Sequence, residues 1–233
     1  MRDDGIDISV IMPCMDEELT VGPCIDEAKR VIDECGLIGE IVVVDNGSQD
    51  CSADKAREHG AVVVGEERTG YGHAIRRGID MAQGKIIIIA DCDMTYDFDD
   101  MKKITEMMND GGYDMVIGDR FSGTIEKGAM PLSHRIGVKV LSALGRRRFK
   151  TDVNDFHCGI RGSLKDALCR LEFQTGGMEF ATEMIAVAAE NHLMIGQTPV
   201  RLRKCLLQRR SKLRTVRDGL RHLKYILRGG GCN

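Results

Sequence analysis

The stretch KIIIIADCDMTYD, residues 85–97, joins four consecutive isoleucines to a group of acidic residues. A short run of β-branched residues bounded by polar ones is typical of a strand that is buried on both faces of a parallel sheet. Ligands bind beyond the carboxyl ends of such strands. The aspartates that follow the run, Asp91, Asp93 and Asp97, are therefore candidates for a binding site.

The same pattern recurs through the first half of the sequence. Segments rich in valine and isoleucine alternate with segments whose apolar residues have helical spacing. Strands are predicted at residues 8–12, 40–44, 61–64, 85–90 and 114–118, and helices at residues 18–35, 51–59, 72–82 and 97–109. Pro13 is expected to end the first strand. This alternation predicts an α/β fold with a mostly parallel sheet and helices on both of its faces.

The second half is less regular. Helices are predicted at residues 132–144 and 178–190, and an edge strand at residues 193–200. At residues 215–227, apolar and basic residues fall on different faces of one helix, which predicts a basic amphipathic C-terminal helix.

The composition is that of an ordinary globular chain of 233 residues, with 42% apolar and 30% charged residues. It excludes a wholly disordered chain, and the length suits one domain with at most an appended element. We expect no membrane-spanning segment, because no apolar run approaches the roughly 20 residues that a bilayer requires, and no secretory signal. The nine cysteines form no C-x-x-C pair, which argues against a zinc site or disulfide framework and favours reduced thiols in a cytosol.

The net charge of −3 hides two regions of opposite sign. Residues 201–233 contain 11 basic residues and one acid, a charge of +10, which leaves −13 for residues 1–200. A basic tail on an acidic body suggests a polyanionic partner, and nucleic acid, anionic lipid and a phosphorylated substrate all remain open. A solvated basic helix is the alternative that needs no partner.

Carboxylates also follow the first and second predicted strands, in PCMDEE at residues 13–18 and VDNGSQD at residues 44–50. Because these strand ends meet at one edge of a parallel sheet, the acids there would repel one another unless they bind a cation or hydrogen-bond donors. Asp91 and Asp93 flank a single residue, so both can project toward a divalent ion such as Mg²⁺. Turn and capping residues are the alternative interpretation of each cluster taken alone.

Motifs of other nucleotide-binding and hydrolytic folds are missing. No G-x-G-x-x-G follows the first strand, and neither G-x-x-x-x-G-K-[ST] nor G-x-S-x-G occurs. These absences argue against a dinucleotide-dependent dehydrogenase, a P-loop enzyme and a serine hydrolase.

Eight ordered segments resemble those of the inverting family 2 glycosyltransferases, in particular the dolichol-phosphate mannose and glucose synthase-like branch. The first four are PCMDEELTVG, VDNGSQD, RTGYGHAIRRGI and IIIIADCDMTYDF. The later four are GDRFSGTIEKGAMPLSHRIG, DFHCGIRG, GMEFATEM and RRSKLRTVRDGLRHL. The resemblance runs from about residue 8 to residue 227. It implies a GT-A fold that acts on a nucleotide sugar.

The resemblance also implies a donor site at the strand ends. The residues that it assigns to the donor are Pro13, Asp16, Glu17, Asp45, Asn46, Asp91, Cys92 and Asp93. Asp91 and Asp93 among them would carry the Mg²⁺ or Mn²⁺ that neutralises the leaving diphosphate. Asp16, Thr95, Val138 and Arg209 depart from the family pattern.

On the acceptor side, the resemblance assigns the acceptor phosphate to Arg120, Arg135, Ser211 and Lys212, which suits the bidentate fork of arginine. Glu179 either binds the sugar hydroxyls or orients an arginine, and Arg210 belongs to a late basic loop near the donor diphosphate. The catalytic set implied is Asp91, Asp93, Arg120, Glu179 and Arg210.

Together these observations predict a metal-dependent enzyme that moves glucose or mannose from a UDP- or GDP-sugar to a polyprenyl phosphate. Residues 1–200 are expected to form the catalytic domain, with a nucleotide-binding half to about residue 120 and an acceptor half at residues 121–200. Residues 201–233 are the basic loop and helix, of which residues 201–228 meet the membrane. We expect a cytoplasmic protein, peripheral at the cytoplasmic membrane face.

Two alternatives remain at this stage. The acceptor is a soluble sugar, a polysaccharide or a protein-linked glycan in one of them. In the other, the chain is a non-enzymatic nucleic-acid-binding protein. No nucleic acid is expected as a partner, because Tyr225 is the single aromatic residue of the tail and the chain has no tryptophan to stack on bases.

Overall fold

A mixed β-sheet is the framework of the computed structural model, which describes residues 5–205 and 215–228. Among these residues the sheet has seven strands in the order β3-β2-β1-β4-β6-β5-β7. The strands are β1 Ile8–Cys14, β2 Gly39–Asp45, β3 Val62–Gly65, β4 Ile86–Ile89, β5 Met115–Ile125, β6 Arg161–Leu164 and β7 Ile195–Leu202. Neighbouring strands are parallel except at β6, which is antiparallel to both β4 and β5.

Helices flank this sheet. They are α1 Val21–Glu34, α2 Ser52–Glu58, α3 Tyr71–Met81, α4 Asp100–Asn109, α5 Leu132–Phe149, α6 Lys165–Leu168, α7 Phe180–Glu190 and α8 Thr215–Arg228. Within the described ranges, no helix combines the length and the apolar character that crossing a bilayer requires. The last helix packs on α5 and α7.

The predicted α/β architecture is confirmed, and the apolar strands occupy its centre. All four isoleucines of β4 are buried, because β4 lies between β1 and β6 and is covered on both faces. The predicted edge strand is β7, which pairs only with β5 among the described strands. The sheet therefore explains the isoleucine run from which the fold was predicted.

Two details of the sheet differ from expectation. The first strand does not end at Pro13 but continues to Cys14, paired with β2. Its pairing with β4 stops at Ile11, so Pro13 lies where the strand has one neighbour, a position that tolerates proline. The second difference is β6, whose sequence RGSL has no strand-like pattern and which is inserted between β4 and β5.

Candidate active site

The loops after β1 and β2 are joined by hydrogen bonds at the carboxyl edge of the sheet. Asp16 accepts a hydrogen bond from the Gln49 amide at 2.7 Å, and its own amide donates to the Ser48 hydroxyl at 3.0 Å. The Glu17 amide donates to the Ser52 hydroxyl at 2.6 Å. Asp16 has a φ of 51°, a left-handed conformation that aspartate tolerates better than most residues. The first two predicted clusters thus form one surface.

Asn46 is buried and connects the end of β2 to the segment that leads into α3. Its side-chain amide donates to the carbonyls of Glu66 at 2.9 Å and Arg68 at 3.0 Å, and its side-chain oxygen accepts from the Gly70 amide at 2.7 Å. An aspartate could not donate the first two bonds. These three hydrogen bonds explain why the residue at position 46 is an asparagine.

Asp91 and Asp93 lie together beyond β4. Asp93 accepts hydrogen bonds from both the amide and the hydroxyl of Thr95, which fixes its orientation. Loss of solvation and the negative charge of Asp93 raise the pKa of Asp91 to about 7. Gly159 lies so close that a Cβ atom there would come within 2.1 Å of an Asp91 carboxylate oxygen.

This arrangement fits a divalent cation. Two crowded carboxylates are electrostatically costly alone, and a cation between them would remove that cost. No cluster of three or more histidine, cysteine, aspartate or glutamate side chains suited to a metal occurs in the described part of the chain. A cation held by Asp91 and Asp93 would therefore take further oxygen ligands from outside these side chains, as Mg²⁺ does when it binds substrate phosphates.

Two tyrosines near these aspartates were not predicted from the sequence. The Tyr96 hydroxyl accepts a hydrogen bond from the Gly159 amide at 2.7 Å. Burial and the charge of Asp91 raise the pKa of Tyr71 above its usual range. Tyr71 lies in RTGYGHAIRRGI and Tyr96 in the acidic stretch after β4, but only their position beside Asp91 indicates a role.

Arg120 forms a buried bidentate ion pair with Asp155. Its Nε donates to Asp155 Oδ2 at 2.6 Å and its Nη2 donates to Oδ1 at 2.8 Å. Asp155 also accepts from the His157 amide at 3.1 Å. The segment GDRF lies within β5, which is longer than the predicted strand at residues 114–118, and the ion pair fixes it to the segment DFHCG. Arg135 is exposed on the first turn of α5.

Comparison with known proteins assigns this arrangement to a family. The family model for Glycosyl transferase family 2 matches residues 9–171. The chain belongs to this family. The predicted enzyme class, a glycosyltransferase, is confirmed with it.

Two proteins of Haloferax volcanii illustrate the relationship. The low-salt glycan biosynthesis hexosyltransferase Agl6 of Haloferax volcanii is 33% identical over 221 residues, which are 94% of this chain and 53% of the relative. The dolichyl-phosphate hexose transferase of the same organism is 30% identical over 200 residues, 85% of this chain and 83% of the relative. The glycosyltransferase chain thus spans about half the length of the first of these relatives.

Solved structures show the same fold at low sequence identity. Glucosyl-3-phosphoglycerate synthase from Mycobacterium tuberculosis in complex with UDP has a TM-score of 0.77 at 21% identity, covering 96% of this chain and 80% of that chain. Its complex with Mn²⁺ and UDP-glucose has a TM-score of 0.76 at 22% identity, covering 96% and 78%. The GT-A fold predicted for the glycosyltransferase is confirmed.

The two glutamates of GMEFATEM have different surroundings in this glycosyltransferase. Glu183 is buried and accepts hydrogen bonds from the amides of Gln174 at 2.8 Å and Thr175 at 2.9 Å, so it holds the loop before α7. Glu179 forms an ion pair with Arg221 of α8 at 2.8 Å. The ion pair has the geometry that one of the two predicted roles of Glu179 requires, and both roles stay predictions.

Residues 203–205 of the glycosyltransferase follow β7 and pass beside the loop that holds Asp91 and Asp93. The Arg203 amide donates to the Thr95 carbonyl at 2.7 Å, and the Arg203 guanidinium pairs with Asp97 at 2.7 Å and with Glu27 at 2.9 Å. Arg210, Ser211 and Lys212, predicted from the sequence, lie outside the described residues.

His222 attaches α8 to helix α7 and to His157. Its Nδ1 lies 2.8 Å from the Thr182 hydroxyl of α7, and its ring meets the ring of His157 edge-on with the centroids 4.3 Å apart. Burial, together with the charges of Arg161 and Arg221, lowers the pKa of His222 to about 4. Near neutral pH the imidazole of His222 is therefore neutral.

Acid is expected to weaken the attachment of α8. Burial depresses the folded-state pKa of His222 from its usual 6.5 to about 4, so the stability that depends on the neutral ring is fully present above pH 6.5 and is lost as the pH falls through about 4. The full loss is about 3 kcal/mol, by the conversion of a pKa difference into free energy. Urea unfolding of the wild type and of His222→Gln across this pH range measures it.

Between neutral pH and about pH 4, the free energy of unfolding of the wild type should fall by about 3 kcal/mol more than that of His222→Gln, which has no imidazole to protonate. His192→Asn, a change at an exposed histidine on the turn after α7, is the control and should follow the wild type. An equal acid sensitivity of His222→Gln and wild type would contradict this role of His222.

Proposed function

We propose that this glycosyltransferase moves a hexose from a UDP- or GDP-sugar to a polyprenyl phosphate, with Mg²⁺ or Mn²⁺ at Asp91 and Asp93. The observation that carries the proposal is the crowded pair of carboxylates beyond β4, beside the joined loops of β1 and β2. The names of the two Haloferax relatives, a hexosyltransferase and a dolichyl-phosphate hexose transferase, support the reaction class. The Mn²⁺ and UDP-glucose in the mycobacterial structure support the metal and the donor.

The donor side is built to bind a nucleoside diphosphate. Asp91 and Asp93 would hold the cation, and Thr95 keeps Asp93 oriented through its two hydrogen bonds. When bound, the cation would neutralise negative charge that develops on the leaving diphosphate. Pro13, Asp16, Glu17, Asp45, Asn46 and Cys92 are the remaining proposed donor residues. Of these, Asn46 acts by shaping the backbone at residues 66–70.

The acceptor side supplies positive charge. Asp155 orients the guanidinium of Arg120, and Arg135 extends the positive charge along the first turn of α5. A phosphate monoester is already an anion near neutral pH, so its attack on the sugar needs positioning more than a strong base. Arg120 and Arg135 would provide that positioning. Arg210, Ser211 and Lys212 remain proposed partners of the phosphates.

Glu179 acts through an arginine in this scheme. Its ion pair with Arg221 holds α8 against the start of α7 and fixes the position of the Arg221 guanidinium there.

The proposal also divides the chain at about residue 200 and includes a contact of residues 201–228 with the cytoplasmic face of a membrane.

A small soluble acceptor is the second candidate. The mycobacterial fold neighbour has been crystallised with UDP-glucose and phosphoglyceric acid together. A phosphorylated carboxylic acid is an anion that the same arginines, Arg120 and Arg135, could bind. The two candidates differ in the acceptor and share the donor site.

A direct transfer assay tests both candidates. UDP-glucose and GDP-mannose are each offered with undecaprenyl phosphate, dolichyl phosphate or 3-phosphoglycerate, with Mn²⁺ or with EDTA. We expect transfer to a polyprenyl phosphate with one donor, and a loss of at least about a hundredfold when EDTA replaces the metal. Transfer to 3-phosphoglycerate alone would support the second candidate, and no transfer with any pair would refute both.

A further inference from the structure

Helix α5 carries a row of large apolar side chains on its outer face. Leu132, Ile136, Val140 and Leu144 follow one another at intervals of four residues and are 71%, 55%, 54% and 39% exposed. Residues at this spacing lie along one side of a helix. The opposite side of α5 contributes the buried residues Val138, Ser142, Gly145 and Phe149. The row is therefore additional to the face that α5 needs for packing.

The charges on α5 all have the same sign. Its basic residues are Arg135, Lys139, Arg146, Arg147 and Arg148, and the helix contains no acid. The neighbouring helix α8, which packs on α5, adds exposed Leu220 and Leu227 together with Arg217, Lys224 and Arg228, against the single acid Asp218. Exposed apolar side chains are thus bordered by cations on both helices.

This face starts at the acceptor side of the site. Lys139 lies with its Nζ 5.0 Å from the ring centroid of Phe121, the residue that follows Arg120. Arg135, proposed to bind the acceptor phosphate, is on the same helix one residue before Ile136. A lipid whose phosphate reached Arg120 would therefore have its chain near the apolar row.

We propose that the outer face of α5, formed by Leu132, Ile136, Val140 and Leu144 with the surrounding basic residues, docks on an anionic lipid surface. Apolar side chains that enter the acyl boundary and cations that meet lipid phosphates are the two contributions that bind a helix to such a surface. A second copy of the same face would bring basic residues against basic residues, which charge complementarity disfavours. The link to a lipid acceptor rests on the proposed function, whereas the docking itself does not.

The assignment differs from the one made from sequence, which placed the membrane contact in residues 201–228. In the structure α8 turns His222 and Ile226 inward against the body, so only part of it is available. Helix α5 presents the longer exposed apolar row and becomes the principal contact, with α8 beside it.

Because the chain has no tryptophan, a single introduced tryptophan reports on its own surroundings. We would compare Ile136→Trp with Met194→Trp, since Met194 is 59% exposed before β7 and outside the proposed face. Vesicles of phosphatidylcholine with about one third phosphatidylglycerol should shift the emission of Ile136→Trp to shorter wavelength. Met194→Trp should not shift, and vesicles of phosphatidylcholine alone should have little effect on either.

Vesicle flotation of the chain without an introduced tryptophan is the second measurement. The double variant Ile136→Glu/Val140→Glu should bind the anionic vesicles about a hundredfold more weakly than the wild type, because two apolar groups become anions. Arg147→Gln/Arg148→Gln should bind more than about tenfold more weakly, because two cations are lost. Met194→Glu, the matched exposed substitution, should bind like the wild type.

Three results would overturn the proposal: no emission shift of Ile136→Trp, equal shifts at both positions, or wild-type binding by the Ile136→Glu/Val140→Glu variant. A dimer in sedimentation velocity that this variant abolishes, without vesicle binding by the wild type, would instead assign the face to a second copy. Vesicle binding is measured without donor or acceptor. A failed transfer assay therefore refutes the proposed function without affecting this result, and failed binding leaves transfer to a solubilised short-chain acceptor intact.

Discussion

Replacing Asp93 by asparagine is expected to lower glycosyl transfer by about a thousandfold, since it removes one of two charges that would hold the cation. Asp91→Asn should have an effect of the same order. Both changes preserve side-chain shape, and the Thr95 amide can still donate to an asparagine oxygen at position 93. Initial rates at saturating Mn²⁺ measure the effect. Titration with Mn²⁺, followed by its electron paramagnetic resonance signal, measures the weakened binding independently of activity.

Asp99→Asn is the matched control, because Asp99 is an exposed acid that pairs with Arg30 and Lys102 at the surface. It should keep the wild-type rate and the wild-type Mn²⁺ affinity. Wild-type transfer by either Asp91→Asn or Asp93→Asn would remove the metal from the proposed mechanism.

Asp155→Ala is expected to destabilise the fold by about 3 to 5 kcal/mol, because it leaves the buried Arg120 guanidinium without its counter-charge. The two side chains are 0% and 6% exposed, so water cannot replace the lost partner. The change should appear as a lower urea midpoint with a nearly constant slope. At permissive temperature the variant should also have a raised KM for the acceptor, since Arg120 would lose its orientation.

The double variant Arg120→Met/Asp155→Leu distinguishes the effect of packing at these two positions from the effect of their charges. Replacing both partners by apolar residues should restore much of the lost stability while transfer remains impaired. Glu34→Ala removes two exposed ion pairs, with Arg30 and with Lys102, and should unfold near the wild-type midpoint. A midpoint of Asp155→Ala equal to that of the wild type would show that the pair has no structural role.

Local sequence and strand order suffice to place the three acidic clusters at one edge of the sheet, whereas the functional roles assigned to their residues stay predictions. Asp91 and Asp93 follow a buried strand, and a parallel sheet brings the ends of β1, β2 and β4 together whatever the details of packing. The positions of the three clusters therefore followed from apolar runs and the residues just after them. Their individual roles did not follow, because these depend on which backbone groups each side chain meets.

Asn46 and Glu183 illustrate that limit. Both belong to motifs that resemble family segments, and both bond to the backbone of nearby loops in the structure. Nothing in the spacing of GMEFATEM separates the buried Glu183 from Glu179, which pairs with α8. The two glutamates differ because their side chains point in different directions at the start of α7, Glu183 toward residues 174–175 and Glu179 toward α8.

By itself, the sequence determined the α/β class, the five strands of the first half, and the carboxylates at their ends. It could do so because apolar periodicity and strand-end position are local properties. Only the tertiary structure decided that β6 enters the sheet antiparallel, that Arg120 meets Asp155 across 35 residues, and that α8 is anchored by His222. The physical reason is that buried polar groups must find partners, and folding chooses these partners from distant parts of the chain.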